Sequence, residues 1–326
     1  MQTVCCETFG PPETLQRIEI ETPNPGPGEV LVQIHAAGVG FVDGLMVQGL
    51  YQVKPPLPYY PGSEFAGVVV DIGPGVEGVE IGARVLGLAP QGAFSDALLS
   101  RADRLVMLPD NVSMASAASL YINYATALYG LRDQGCLQAG ETVLVLGAAG
   151  GVGSAAICVA KAMGAHVIGA ASSSTKRGAA LEFGADEVVD YSAADWRDQL
   201  KALAPEGGID LVYDPVGGDF AETAFRSLLP GGRFLVVGFA SGAIPKLPLN
   251  LALLKRASVV GVDWGGESRA NPQINQELLG TIMSWIATEK LRTAHVTTRQ
   301  MERFRQALED QLAGRIVGKL VLENQS

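Results

Sequence analysis

The segment Leu146-Gly147-Ala148-Ala149-Gly150-Gly151-Val152-Gly153 has the residue types and spacing to hold a phosphate anion through backbone alone. Gly147 permits a sharp turn, and Gly150 and Gly151 let backbone N–H groups approach a pyrophosphate. Gly153, followed by Ala155 and Ala156, lets a helix lie close to the preceding strand, with Val152 inside the same turn. The amino end of that helix would face the anion with unpaired amides and the positive end of its dipole. A second feature falls about 20 residues on, where a unit that takes NAD carries an Asp or Glu for the adenosine ribose. Here Gly169-Ala170-Ala171 is followed by Ser172-Ser173-Ser174-Thr175-Lys176-Arg177, so hydroxyls and two cations replace the carboxylate. Charge-assisted hydrogen bonds to a 2′-phosphate are worth roughly 1.5–3 kcal/mol each. Lys176 and Arg177 fall in the first turn of a predicted helix, where positive charge opposes the dipole and a bound anion would relieve the conflict. The expected cofactor is NADPH rather than NADH.

Positioning such a turn requires strands and helices in alternation, and the sequence supplies them. Strands are expected at 142–147, 166–171, 187–190, 209–214 and 233–238, and helices at 151–164, 175–183, 195–203 and 221–229. That rhythm is an α/β pattern, a doubly wound parallel sheet with helices on both faces. Before it, to about residue 120, short apolar runs such as 30–36, 66–72 and 84–88 are punctuated by glycine and proline, as in a mainly β unit. After it, two helical stretches, 276–289 and 301–312, and a strand at 319–322 close the chain. No internal repeat or low-complexity segment is visible.

The 326 residues favour two domains, and 48% hydrophobic against 18% charged residues excludes disorder of the whole. Lys and Arg total 24 against 34 Asp and Glu, a net charge of −10 that argues against nucleic-acid binding. Cys5, Cys6, Cys136 and Cys158 show no Cys-x-x-Cys spacing and read as reduced thiols in a cytoplasmic protein. The start of the chain lacks a basic segment followed by an apolar block, so no secretory signal is expected. The uncharged stretches 111–131 and 142–160 are too polar or too glycine-rich to span a membrane. No metal site is expected: the three histidines, His35, His166 and His295, are scattered, and no cysteine cluster exists. No tyrosine is followed four residues later by lysine, so a Tyr-x-x-x-Lys proton donor is also absent.

Several motifs together resemble the zinc-free quinone oxidoreductases of the medium-chain dehydrogenase/reductase superfamily, relatives of ζ-crystallin. They are Ala36-Ala37-Gly38-Val39-Gly40-Phe41-Val42-Asp43, Pro61-Gly62-Ser63-Glu64-Phe65-Ala66-Gly67-Val68-Val69 and Asn123-Tyr124-Ala125-Thr126-Ala127. The glycine turn, Asp214-Pro215-Val216-Gly217-Gly218 and Gly314-Arg315-Ile316-Val317-Gly318-Lys319 complete the likeness over nearly the whole chain. Zinc-dependent relatives would carry His where Ser63 stands and Cys near Phe41. The resemblance implies a GroES-like, mainly β catalytic domain (1–121, with the chain returning to it at 266–326) around a Rossmann NADPH-binding domain (122–265), and a homodimer formed through the Rossmann sheets. It implies cofactor contacts at Phe41, Thr126, Ser172, Lys176, Tyr191, Gly238, Phe239, Ala240 and Arg315, beside those of the turn and Arg177. The family usually has Asn where this chain has Gly40, which removes a polar contact from the substrate site.

The expected reaction is metal-free hydride transfer from NADPH to a quinone, whose reduced anion is delocalised and readily protonated, so that positioning and a few donors suffice. The alternative is reduction of activated C=C bonds in enones, enoyl thioesters or 2-haloacrylates, where a proton must reach the α-carbon. Tyr51 is the candidate donor, at a place where related enoyl reductases carry an acid tyrosine, and Asp43 would orient it or the cofactor. A third reading is a non-catalytic NADPH-binding structural or RNA-binding protein.

Overall fold

The computed structural model describes residues 1–205 and 208–324. The chain divides into two units, Met1–Ile122 with Val296–Ser326, and Asn123–His295.

The first unit is built on a seven-stranded sheet. Its spine is Glu29–Val39, which pairs antiparallel with Glu64–Ile72 along one side. On the other side it pairs with Ala97–Arg101 through its first half and with Lys319–Glu323 through its last residues. The sheet therefore joins the start of the chain to its end. Irregular register between Leu31 and Val32 and between Ile34 and Ala36 marks where the strand bends to serve both partners. Its core gathers Val32, Ile34, Phe65, Phe94, Phe304 and Leu320. The helices Phe41–Val47 and Phe304–Leu312 meet at Gly44, where a Cβ would lie 2.7 Å from Leu312 Cγ.

The second unit holds a six-stranded sheet whose pairings are all parallel. Across the sheet the strands run Glu187–Val189, His166–Ala170, Thr142–Leu146, Ile209–Asp214, Leu228–Val236 and Ser258–Gly261. In order of appearance this is 3-2-1-4-5-6, the Rossmann arrangement, with its topological switch beside Thr142–Leu146. All five residues of that strand are buried, as a sheet covered on both faces requires.

The division of the chain differs from the expected one in its last part. The segment 266–295, expected with the first unit, clusters with the second, and the chain returns only at Val296. The helix Gln273–Ala287 buries Leu278, Leu279 and Ile282, and beyond it the Ala294 N–H donates to the Tyr124 hydroxyl at 2.7 Å. The helix Leu249–Lys255 and the sixth strand were not foreseen. Among the described residues no helix is long and apolar enough to cross a membrane.

Candidate functional site

The glycine turn adopts the geometry its spacing demands. Gly147 has φ +60°, and a Cβ there would lie 2.7 Å from Val216 Cγ2. The Gly150 N–H closes the turn on the Gly147 carbonyl at 2.9 Å. At Gly153 a Cβ would collide with that same carbonyl oxygen, which is backbone and cannot swing aside. The helix Gly151–Ala162 begins at Gly150 with no side-chain cap, so its first amides lack a side-chain acceptor. Its Ala155, Ala156, Val159 and Ala160 are buried. The outcome is a cradle of peptide dipoles at the carboxyl edge of the central strand, fitted to an anion such as a pyrophosphate.

At the end of the neighbouring strand, Ser173 caps the helix Ser174–Glu182, accepting from the Lys176 N–H at 3.3 Å. Lys176 is half-buried in the first turn. Ser172 is hydrogen-bonded to Tyr191, whose phenol is pushed up by burial and drawn back by that bond. The Tyr191 ring lies against Phe220, centroids 4.2 Å apart. Ser172 and Tyr191 thus join two adjacent strand ends, with Lys176 in the first turn of the helix that follows Ser172. Arg177 is differently employed: its guanidinium pairs with Asp190 at 2.6 Å and donates to the Ala171 carbonyl at 3.2 Å, bracing two adjacent strand ends. The sequence offered Asp190 as a strand residue only, and nothing in its spacing announced the brace.

Two further loops meet at this edge. Asp214 accepts from the amides of Val216 and Gly217, both at 2.8 Å, while burial pushes its carboxyl up. The Gly238 N–H donates to the Asp214 carbonyl, Ala240 N–H to Pro215 at 3.1 Å and Ser241 N–H to Val216 at 3.0 Å. Gly238, Phe239 and Ala240 are therefore fixed beside the glycine turn's neighbour Val216. Thr126, half-buried on the helix Tyr121–Leu128, also belongs to the second unit.

Phe41, Asp43, Tyr51 and Arg315 belong to the first unit. Phe41 opens the helix Phe41–Val47, whose N-cap Gly40 has no side chain to offer. Asp43 reaches back instead, accepting from the Gly40 N–H at 2.7 Å, and it also accepts from the Gly62 amide. It is only 5% exposed. Burial pushes its carboxyl up to about 6, against the pull of the two amides and the nearby Lys319 ammonium and with the push of the Glu64 carboxylate. Lys319 and Glu64, both buried, form an ion pair. Sequence reading passed over this pair. Tyr51 is half-buried in the bend after the helix. Arg315 is held by Asp310 at 2.6 Å, and Asp310 in turn takes Arg299 at 2.6 Å. No group of three His, Cys, Asp or Glu among the described residues is placed to hold a metal ion.

Comparison with known proteins adds relatives to this geometry. A family described as "Alcohol dehydrogenase GroES-like domain" matches residues 26–110, and one described as "Zinc-binding dehydrogenase" matches residues 151–280. The chain is similar to quinone oxidoreductase-like protein 2 of Mus musculus, 37% identical over 97% of this chain and 90% of that one. It is also similar to the quinone oxidoreductase of Rattus norvegicus, 31% identical over 99% of this chain and 97% of that one. Among solved structures, the Escherichia coli quinone oxidoreductase complexed with NADPH superposes with a TM-score of 0.89 at 29% identity, covering 99% of this chain and 100% of that one.

Proposed function

The chain belongs to the quinone oxidoreductase family of the medium-chain dehydrogenases/reductases, and from that premise we propose that it reduces quinones with NADPH and without a metal ion. The observation that carries the reading is the glycine cradle at 147–153, joined to a strand end that offers Ser172 and Lys176 in place of a carboxylate. Bound there, NADPH supplies hydride. The amides of the helix Gly151–Ala162 would hold its pyrophosphate, and Ser172, Lys176 and Tyr191 would take the phosphate on its adenosine. Arg177 keeps that strand end in shape through Asp190. Thr126 and the loop Gly238, Phe239 and Ala240 are assigned to the nicotinamide end, and Phe41 and Arg315 to further cofactor contacts. Asp43 is assigned to orientation rather than to proton transfer, because its carboxylate is occupied by the Gly40 and Gly62 amides. A quinone needs no dedicated acid, which suits a chain without a zinc ligand set or a Tyr-x-x-x-Lys pair.

A second reading, reduction of activated C=C bonds, is favoured by the place of Tyr51, half-buried directly after the helix that opens at Phe41. Tyr51→Phe is expected to cripple enone reduction and leave quinone reduction largely intact, and equal rates on both would remove its acid role. NADPH consumption over panels of quinones, enones and 2-haloacrylates, with products identified, separates the two readings. Elevated melting temperature with NADPH but no oxidation of it by any acceptor would overturn both.

We further assign a homodimer and a reducing, cytoplasmic setting. The strand Ser258–Gly261 is the edge of the parallel sheet, and the preceding helix leaves Leu249, Leu253 and Leu254 exposed, an apolar surface that a second copy would cover. The four cysteines are free thiols. Light scattering of the purified protein that gave a monomer mass would remove the dimer.

A further inference from the structure

The buried charges of the first unit, Asp43, Glu64 and Lys319, lie around the start of the helix Phe41–Val47. Burying an ammonium and two carboxylates is costly unless each is paired or hydrogen-bonded. Here every member is engaged. Lys319 pairs with Glu64, the second oxygen of Glu64 accepts from the Ile122 N–H at 3.0 Å, and Asp43 accepts from the Gly40 and Gly62 amides. A Cβ at Gly38 would strike the Glu64 carboxylate, so this group lies directly against the strand that leads into Gly40.

We propose that Lys319 and Glu64 are positioning residues for the reduction: their buried ion pair, seated against the strand that leads into Gly40, supports the cap by which Asp43 holds the start of the helix carrying Phe41 and leading to Tyr51. An ionised Asp43 binds the Gly40 and Gly62 amides more strongly than a neutral carboxyl does. The ammonium favours that ionised form, and the Glu64 carboxylate opposes it. The remaining groups nearby are accounted for. Tyr59 is buried and its phenol is pushed further up by Asp43, so it stays neutral. On the helix Phe304–Leu312, Asp310 is taken by Arg299 and Arg315, Arg305 donates to the Leu15 carbonyl, and Glu309 is half-exposed.

This inference rests on the proposed activity for its kinetic readout, so two readouts are used. One is the acid limb of the kcat/KM–pH profile for quinone reduction by NADPH, and the other is hydrogen exchange of the Gly40 amide as a function of pH. Lys319→Met is expected to move both toward higher pH by about one unit or more. Glu64→Gln keeps an oxygen for the Ile122 amide and is expected to move both toward lower pH. A purely structural pair would not produce shifts of opposite sign. Should Lys319→Met fail to fold, Glu64→Gln and the double variant Lys319→Met/Glu64→Gln decide, the double variant giving a smaller upward shift because the ammonium's pull exceeds the Glu64 push. Shifts of the same sign in the two single variants, or no shift in either readout, would overturn the proposal. If the wild-type protein reduces no acceptor, the activity reading fails, and the exchange of the Gly40 amide still decides this one.

Discussion

The two units meet their electrostatic demands in opposite ways. In the second, the cradle at 147–153 carries no charged side chain and presents peptide dipoles instead. Ion pairs there, among them Lys161 with Asp186, Arg233 with Glu141 and Arg177 with Asp190, are partly exposed. In the first, Asp43, Glu64 and Lys319 are all but sealed from solvent. One unit is therefore sensitive to added atoms, the other to altered charge. A cradle of backbone fails when any Cβ enters it, whereas a buried triad tolerates shape better than the loss of one partner.

The largest effect expected from this contrast is at Gly153. Gly153→Val drives a side chain into the Gly147 carbonyl and should weaken NADPH binding by about 100-fold or more, the cost of losing one or two charge-assisted hydrogen bonds of roughly 1.5–3 kcal/mol each from the displaced amides. Fluorescence titration measures it, and unchanged affinity would show that the cradle is not the site.

Charge gives the next effect. Asp43 ionises near 3.8 when free and near 6 when folded, so the native state holds this proton more tightly than the unfolded chain does. Its contribution is favourable below the unfolded value and is lost as pH rises from about 4 to about 6, roughly 3 kcal/mol in all. Burial pushes Asp186 and Glu141 in the second unit up, but their cationic partners and a backbone amide each bring them below the ordinary value, so their contributions are present above the unfolded value and are lost as pH falls. Asp43→Asn should flatten the decline between pH 4 and 6 in urea unfolding curves. A decline of wild-type size in that variant would assign it elsewhere.

The smallest effect separates two adjacent cations. Lys176→Ala should cost roughly 10- to 150-fold in NADPH affinity and leave NADH affinity unchanged. Arg177→Ala should cost less, because its guanidinium is already shared between Asp190 and the Ala171 carbonyl. Paired titrations with both coenzymes measure the difference, and a larger loss at Arg177 would reverse their assignment.

What the sequence revealed follows the same division. The turn at 147–153 was legible because glycine is favoured at φ +60° with Val216 close by at Gly147 and is required by the close approach at Gly153, so a local spacing encodes a local geometry. The cap at Ser173 lies in a run of three serines, any of which has the chemistry to cap, so sequence alone does not single it out. The sixth strand and its helix were hidden because Leu249, Leu253 and Leu254 point outward, which breaks the apolar periodicity that marks a helix face. The Glu64–Lys319 pair was out of reach for another reason. Its members lie at opposite ends of the chain and meet only because the last strand, Lys319–Glu323, pairs with Glu29–Val39.

The most direct test of the central claim is a single turnover: protein treated with a chelator, loaded with NADPH and mixed with a quinone while the absorbance of the reduced nicotinamide is followed. The account predicts rapid, stoichiometric loss of that absorbance in the wild type, with no such turnover in Gly153→Val at the same NADPH concentration. Persistence of the signal in the wild type, or its restoration only by added zinc, would contradict it.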